Sequence, residues 1–556
     1  MKCVLCALTL LLMETVVWAE SDPSHWCGSW GLARTEYILQ IHQRHTEQLR
    51  LQTASAPITK SSDIGEIAVI EGNSTILIEP NPFDLQGKKL TFTPNPAGGY
   101  DLKVTSSSSV SGTQGDVISL GDDASKQITF TSGFTFPFYG TSYTGVFVNS
   151  DGNLTFKSKD SASTDRDTFR ILTGPPRLAP FFVDLNPSVG GEVRALQNSK
   201  LLRVTWSDVP QFGTQTSNTL QMNLFKNGKI EFIFGSIETL EAITGIAPGK
   251  STSFKLVDYS KTGTLTGVKP AVLERFATES EIDYAALIQE FHKTHPAIFD
   301  FVVIFTDFDV DLQGAFAFFS HIRNDVKGIG LPVFDLSSIF GGSQIQGFLQ
   351  MGFLGNYPAN PKEEFLGTNN TLEVFGQENG HRWLAFTKAM IDGTRSNELL
   401  GRQLAHWNFY MDTDASVMEG NDIKDNGNGT FITTASTATF SKLDLYIMGL
   451  LPSSAVPSTF FVRTNTNRGR APQVGVTFSG PRVNVNVDHI IQAEGARVPS
   501  VETSQKAFKE AFIYLVQPGV KPSQASLNHL ESIRTQWTSF FRSKTRKKGI
   551  IDTTLP

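Results

Sequence analysis

Gln377, Glu378 and His381 stand at a spacing that can do chemistry. In residues 371–386, which read as one helix, positions four apart share a face. Gln377 and His381 then project side by side with Glu378 on the shoulder between them. Two histidines at that spacing with a glutamate after the first make the H-E-x-x-H arrangement, in which the imidazoles hold zinc and the carboxylate polarises the water on the metal. Here glutamine takes the first position. A neutral amide oxygen is a poorer donor to zinc than an imidazole nitrogen, so weaker zinc binding, or a harder metal, is expected. On this reading His381 is a ligand and Glu378 the general base.

Catalytic zinc takes three protein ligands and keeps one position open. For the remaining ligand His406 leads and Glu419 comes second; both follow the helix in the same expected domain. Each also fits a plain structural role, His406 as a packed histidine beside Trp407 and Glu419 as a turn or cap. Asp412, Asp414, Ser416 and the turn at 425–429 resemble pieces of a calcium loop without full EF-hand spacing, a second and structural metal expectation.

The elements that must position these residues begin near Ala271. Tyr284, Leu287, Ile288 and Phe291 recur at helical spacing. Residues 299–305 form a continuous apolar run expected to be a strand buried on both faces, and 314–319 a second strand. Strands followed by a metal helix suit a sheet edge that aligns a peptide above the helix by strand addition. Beyond residue 457 alternating runs return, then two helices are expected, at 507–516 and along the stripe Leu527, Leu530, Ile533, Trp537, Phe541.

The first half reads differently. Residues 20–55 suggest a polar helical arm in which His42 and His45 are expected to be exposed. Short β segments and a Ser/Gly join fill 56–112, and a continuous series of aromatic, β-branched strands fills 113–258. Asn227-Gly228 between two alternating runs is a primed hairpin turn. The run from Val146 to Phe156 with its Ser-Asp-Gly-Asn turn, the stretch from Ala179 to Leu185, and the pattern from Trp206 to Phe232 resemble the nidogen-like extracellular module. That resemblance implies adhesion or substrate positioning. Asp151, Asp184 and Asp208 there suit turns or a calcium ion.

Gly376-Gln-Glu-Asn-Gly-His-Arg-Trp383, Ala405-His-Trp407, the run from Ser416 to Asp422 and that from Leu443 to Leu450 resemble an exported bacterial metallopeptidase-like family with a zincin catalytic domain. The resemblance implies zinc and peptide hydrolysis where the motif is intact. The expected fold class is therefore multidomain: a β-rich sandwich-like module, then an α+β zincin-like domain at 271–457 with a C-terminal β/helical extension at 458–556.

Length and charge agree. At 556 residues the chain exceeds what one core fills. A net charge of −6 gives no basic surplus for a nucleic-acid partner. Residues 1–19 read as an export signal, with Lys2, an apolar run and Val17-Trp18-Ala19 at the cleavage site, and they are too short for a membrane span. Of the three cysteines, Cys3 and Cys6 would leave with it, so Cys27 has no internal disulfide partner. The sequence thus points to a secreted or periplasmic metal-dependent hydrolase acting on a peptide or protein. Its rival is an inactive zincin relic that binds an extracellular protein or glycan.

Overall fold

The computed structural model describes residues 27–29, 31–51, 59–107, 110, 114–162, 166–251 and 253–556. The expected export signal, and most of the Ser/Gly join, lie outside them. Among the described residues no helix is long and apolar enough to cross a membrane.

The chain is multidomain and rich in strands. The sheet that carries the candidate site has the order Ser61–Ile64, Ile67–Glu71, Ala507–Val516, Phe301–Thr306, Gly347–Phe353, Phe318–His321. Its four inner strands are parallel, and the two outermost ones pair antiparallel to their neighbours. Both faces are covered, so the inner strands are largely apolar, Phe301–Thr306 most continuously. Phe301, Val303, Phe305, Phe512 and Tyr514 face one core with helices Thr371–Gly380 and Gln524–Lys544. Val302, Ile304, Ala511, Ile513 and Leu515 face another with helices Leu32–Leu51 and Tyr284–Thr294.

The strand Ala507–Val516 corrects the helix expected there. Ala507, Lys509 and Glu510 are helix formers, but Phe512 to Val516 are apolar and prefer a pleat. The decisive partners, Phe301–Thr306 and Ile67–Glu71, lie hundreds of residues away, beyond the reach of local periodicity. Glu510 is buried in this strand, accepting from Asn379 Nδ2 at 2.5 Å and Trp537 Nε1 at 2.7 Å. Burial pushes its carboxyl up to about 8. A folded-state pKa raised above the unfolded value stabilises below about 4.5 and loses that contribution as pH rises to about 8. The expected result is a stability that declines by up to roughly 1.4 kcal/mol per pH unit across that interval. Chemical denaturation of Glu510→Gln at pH 6 and pH 9 should show the slope reduced.

The short β segments expected at 56–112 are divided between two bodies. Ser61–Ile64 and Ile67–Glu71 join the site sheet, whereas Lys88–Pro94 and Tyr100–Ser106 join the β module. That module is two sheets of eight and seven strands whose inward residues, Phe92, Leu154, Trp206, Leu220 and Phe232 among them, share one core. Asn227-Gly228 does join strands Asn218–Phe225 and Ile230–Ile237, but not as the primed turn expected: Gly228 has φ 86° while Asn227 stays outside the positive-φ region, and Gly228 N–H donates to Phe225 O at 2.8 Å.

The arm is helix Leu32–Leu51, and it is less polar in context than in sequence. Tyr37 and Ile41 pack on the β module while Ile38 packs under the site sheet. His42 and His45 are not exposed surface residues. Both set Nδ1 at 2.9 Å from a carboxylate oxygen of Asp283, and His45 is buried. Asp283 also caps the helix Tyr284–Thr294 through Ala286 N–H, so one carboxylate ties two helices together.

Candidate functional site

The site helix Thr371–Gly380 starts at Asn370, whose side chain accepts from the N–H groups of Leu372 and Glu373, while Glu373 answers the Asn370 N–H. This reciprocal cap fixes the helix start. The helix stops earlier than the expected 371–386, and His381 is its C-terminal cap residue with φ −59° and ψ −13°. Because that geometry is still helical, Gln377 and His381 remain on one face. Gly380 lets the following loop cross closely, since a Cβ there would meet Met418 Sδ at 2.5 Å.

The structure brings Gln377, Glu378, His381 and His406 together, each at most 1% exposed. The rings of His381 and His406 lie 4.9 Å apart and perpendicular. His381 Nδ1 faces Leu384 O at 3.2 Å and His406 Nδ1 faces Arg402 O at 3.0 Å. A carbonyl can only accept, so both Nδ1 atoms carry the proton and both Nε2 atoms present lone pairs to the shared space. Metal-binding histidines are oriented in this way. Gln377 Nε2 lies 3.1 Å from His406 Nε2 and donates to it, while Gln377 Oε1 and Glu378 Oε1 are buried without a hydrogen-bond partner.

Three residues that sequence reasoning did not place here complete the cluster. Cys27 Sγ stands 3.2 Å from His381 Nε2 and 3.4 Å from Glu378 Oε2, and with the two histidines forms a group whose donor atoms lie within 4.8 Å of one another. Ser29 Oγ donates to Glu378 Oε2 at 2.9 Å. Arg402 Nε donates to Glu419 Oε2 at 3.1 Å, its Nη2 pairs with Glu419 Oε1, and the same Nη2 lies 3.4 Å from His406 Nε2. The available signals were slight: a single cysteine left after the leader, and an arginine four positions before His406.

Glu419 is held by this guanidinium, 3.6 Å from His406 Nε2 and outside the three-residue group. Gln403, Leu404 and Glu419 all take left-handed backbone angles, with φ of 56°, 54° and 60°. Such angles are unfavourable for side-chain-bearing residues, and here they fold the loop so that Arg402 meets Glu419. Trp407, next to His406, donates Nε1 to buried Asp444 at 2.9 Å.

Burial pushes the Glu378 carboxyl well above its usual range and raises the Cys27 thiol. It also lowers His381, and lowers His406 strongly, with Arg402 adding to the latter. Burial thus disfavours charge on both imidazoles, on the Glu378 carboxyl and on the Cys27 thiol, beside one internally compensated Arg–Glu pair. Neutral imidazole is the form that binds a metal.

The other acidic candidates are engaged elsewhere. Asp151 and Asp184 converge with Asp123 on Arg166, at 2.6 to 2.8 Å, whereas Asp208 bonds Ser217 and Thr219. Asp412 accepts from Ile423 N–H, and Asp425 from Arg482 and Gly427.

Among known proteins, a family model described as NIDO related matches residues 99–277. That range covers most of both sheets of the β module, which is accordingly a nidogen-like module of the extracellular type. No curated protein and no solved structure matches the chain.

Proposed function

We propose that the chain is an exported zinc-dependent peptide hydrolase of zincin type, with His381 and His406 as imidazole ligands, Gln377 as a weak oxygen donor and Glu378 as general base. The observation that carries this reading is the convergence of two oriented Nε2 lone pairs beside two orphaned buried oxygens, Gln377 Oε1 and Glu378 Oε1. Buried polar atoms without partners are costly; a divalent cation in the shared space would satisfy Gln377 Oε1, while Glu378 Oε1 would face the water to be activated. Turned by half, the Gln377 amide would exchange its donation to His406 for an oxygen that could serve as the third donor.

The chemistry zinc supplies in such a site is Lewis acidity at neutral pH. Glu378 takes a proton at its carboxylate and returns it to the leaving amine. The outer strand Phe318–His321 is the sheet edge along which a peptide would lie. The nidogen-like module supplies adhesion or substrate positioning.

A specific observation favours the rival, a binding protein without activity: the Arg402 guanidinium competes for the His406 lone pair. Metal content decides between them. After chelation and reconstitution the hydrolase should hold one zinc per chain, lose it in His381→Ala and in His406→Ala, and cleave denatured protein in a chelator-sensitive way. Absence of bound zinc would sink the hydrolase. Gln377→His should tighten zinc by at least about tenfold, since exchanging a ligand should exceed the lower end of the 10–100-fold effects of outer partners. An unchanged zinc titration would count against this ligand set.

A further inference from the structure

The candidate site is closed by the chain's own residues 27–29. Cys27 pairs with Ala317, directly before the outer strand Phe318–His321, and Gly28 N–H donates to Ala317 O at 2.9 Å. Phe319 N–H donates to Ser29 Oγ at 2.7 Å. The segment therefore lies where an added peptide strand would run. Two arginines fasten it: Arg34 donates through Nε and Nη2 to Gly28 O at 3.0 and 2.8 Å, and Arg402 through Nη1 to Cys27 O at 3.1 Å. Gly28 fits because it has no side chain. A Cβ there would meet Arg34 Nη2 at 2.4 Å and Ala315 Cβ at 2.6 Å.

Two contacts turn this cover into something chemical. Cys27 Sγ points into the His381–His406 pair, and Ser29 Oγ, with the same sulfur, covers the Glu378 carboxylate. The cover thus reaches the ligands and the base together, while Gln377 Oε1 and Glu378 Oε1 remain unpartnered beside it.

We propose that residues 27–29 are an internal latch in which Cys27, as a thiolate, ligates the divalent cation held by His381 and His406, leaving the hydrolase latent until the segment withdraws from the sheet edge. The proposal rests on the hydrolase reading above. As the sulfur–metal bond forms, the thiol proton leaves to solvent, and nothing is oxidised or reduced. The thiolate fills the position that catalytic zinc keeps for water, and Ser29 occupies the base that would act on that water. Withdrawal frees both, together with the strand edge.

The test loads the full chain with cobalt(II) in place of zinc. It reads metal stoichiometry, the thiolate-to-cobalt charge-transfer absorption in the near ultraviolet, and hydrolysis of a denatured protein. Wild type should bind one cobalt and show the band. Cys27→Ser should keep cobalt, lose the band and hydrolyse at least about tenfold faster, the gain expected when a competent state of a tenth or less becomes dominant. Gly28→Val, which crowds Arg34 and Ala315 while keeping the thiol, should also raise the rate. Cobalt bound to wild type without the band overturns the latch and leaves the metal reading standing. A band lost in Cys27→Ser with no faster hydrolysis in either variant makes Cys27 a permanent ligand and equally overturns the latch. No cobalt bound to wild type or to Cys27→Ser removes the metal reading, and the latch with it.

Discussion

Replacing Glu378 by Gln should cost about 10²–10⁴-fold in peptide hydrolysis while leaving zinc stoichiometry and thermal stability nearly unchanged. The substitution is close to isosteric. Glu378 is fully buried, and burial disfavours its charged form, so a neutral amide of nearly the same shape is tolerated there. The Ser29 hydroxyl still finds an amide oxygen to donate to. What is lost is the capacity to take a proton, which matters only once substrate and metal are in place. The measurement is best made in both wild-type and Cys27→Ser backgrounds, by single-turnover cleavage of a quenched peptide alongside metal analysis. A Glu378→Gln protein that binds zinc and still cleaves at the parental rate would remove Glu378 from the chemistry. One that loses zinc as well would place it in the ligand set instead.

What could be read from the sequence follows the range of the interactions. The helix with Gln377 and His381 depends on contacts three and four residues apart, and it forms, although it ends at Gly380, six residues sooner than the apolar run suggested. The strand at 299–305 and the Asn227-Gly228 hairpin are likewise local patterns, and both are present with small shifts at their ends. His381 and His406 are twenty-five residues apart, and the loop crossing over Gly380 brings them into one space. Failures arise where a partner is remote. Ala507–Val516 becomes a strand through pairing with Phe301–Thr306, and His45 is buried because Asp283, far along the chain, accepts from it. Cys27 is the extreme case, since it meets Glu378 across 351 positions and no periodicity carries such information. The nidogen-like module was legible because its turns and alternations repeat within each hairpin. Its two strands at Lys88–Pro94 and Tyr100–Ser106 looked separate only because a Ser/Gly stretch follows them.

Arg402→Met should be the most damaging single substitution around the site in the absence of metal, destabilising the chain by about 3–5 kcal/mol. Arg402 and Glu419 are both buried, and the guanidinium contacts both oxygens of the carboxylate. Methionine keeps much of the volume but leaves Glu419 as an uncompensated charge, along with a Cys27 carbonyl deprived of its donor. Much of the damage should therefore be recovered in Arg402→Met/Glu419→Gln, which removes the orphaned charge. Zinc should rescue the single variant more than it stabilises wild type. Loss of the guanidinium removes the competitor for His406 Nε2 and leaves Glu419, 3.6 Å from that nitrogen, free to turn toward a cation. Because a ligand that binds only the folded state adds RT ln(1 + [L]/Kd), the two proteins should differ most in chelator and least in excess zinc. Urea denaturation under both conditions measures this difference directly. If the gap between Arg402→Met and wild type is the same with and without zinc, Arg402 and the cation do not share the site, and the pair with Glu419 is a purely structural fastening of the loop that carries His406.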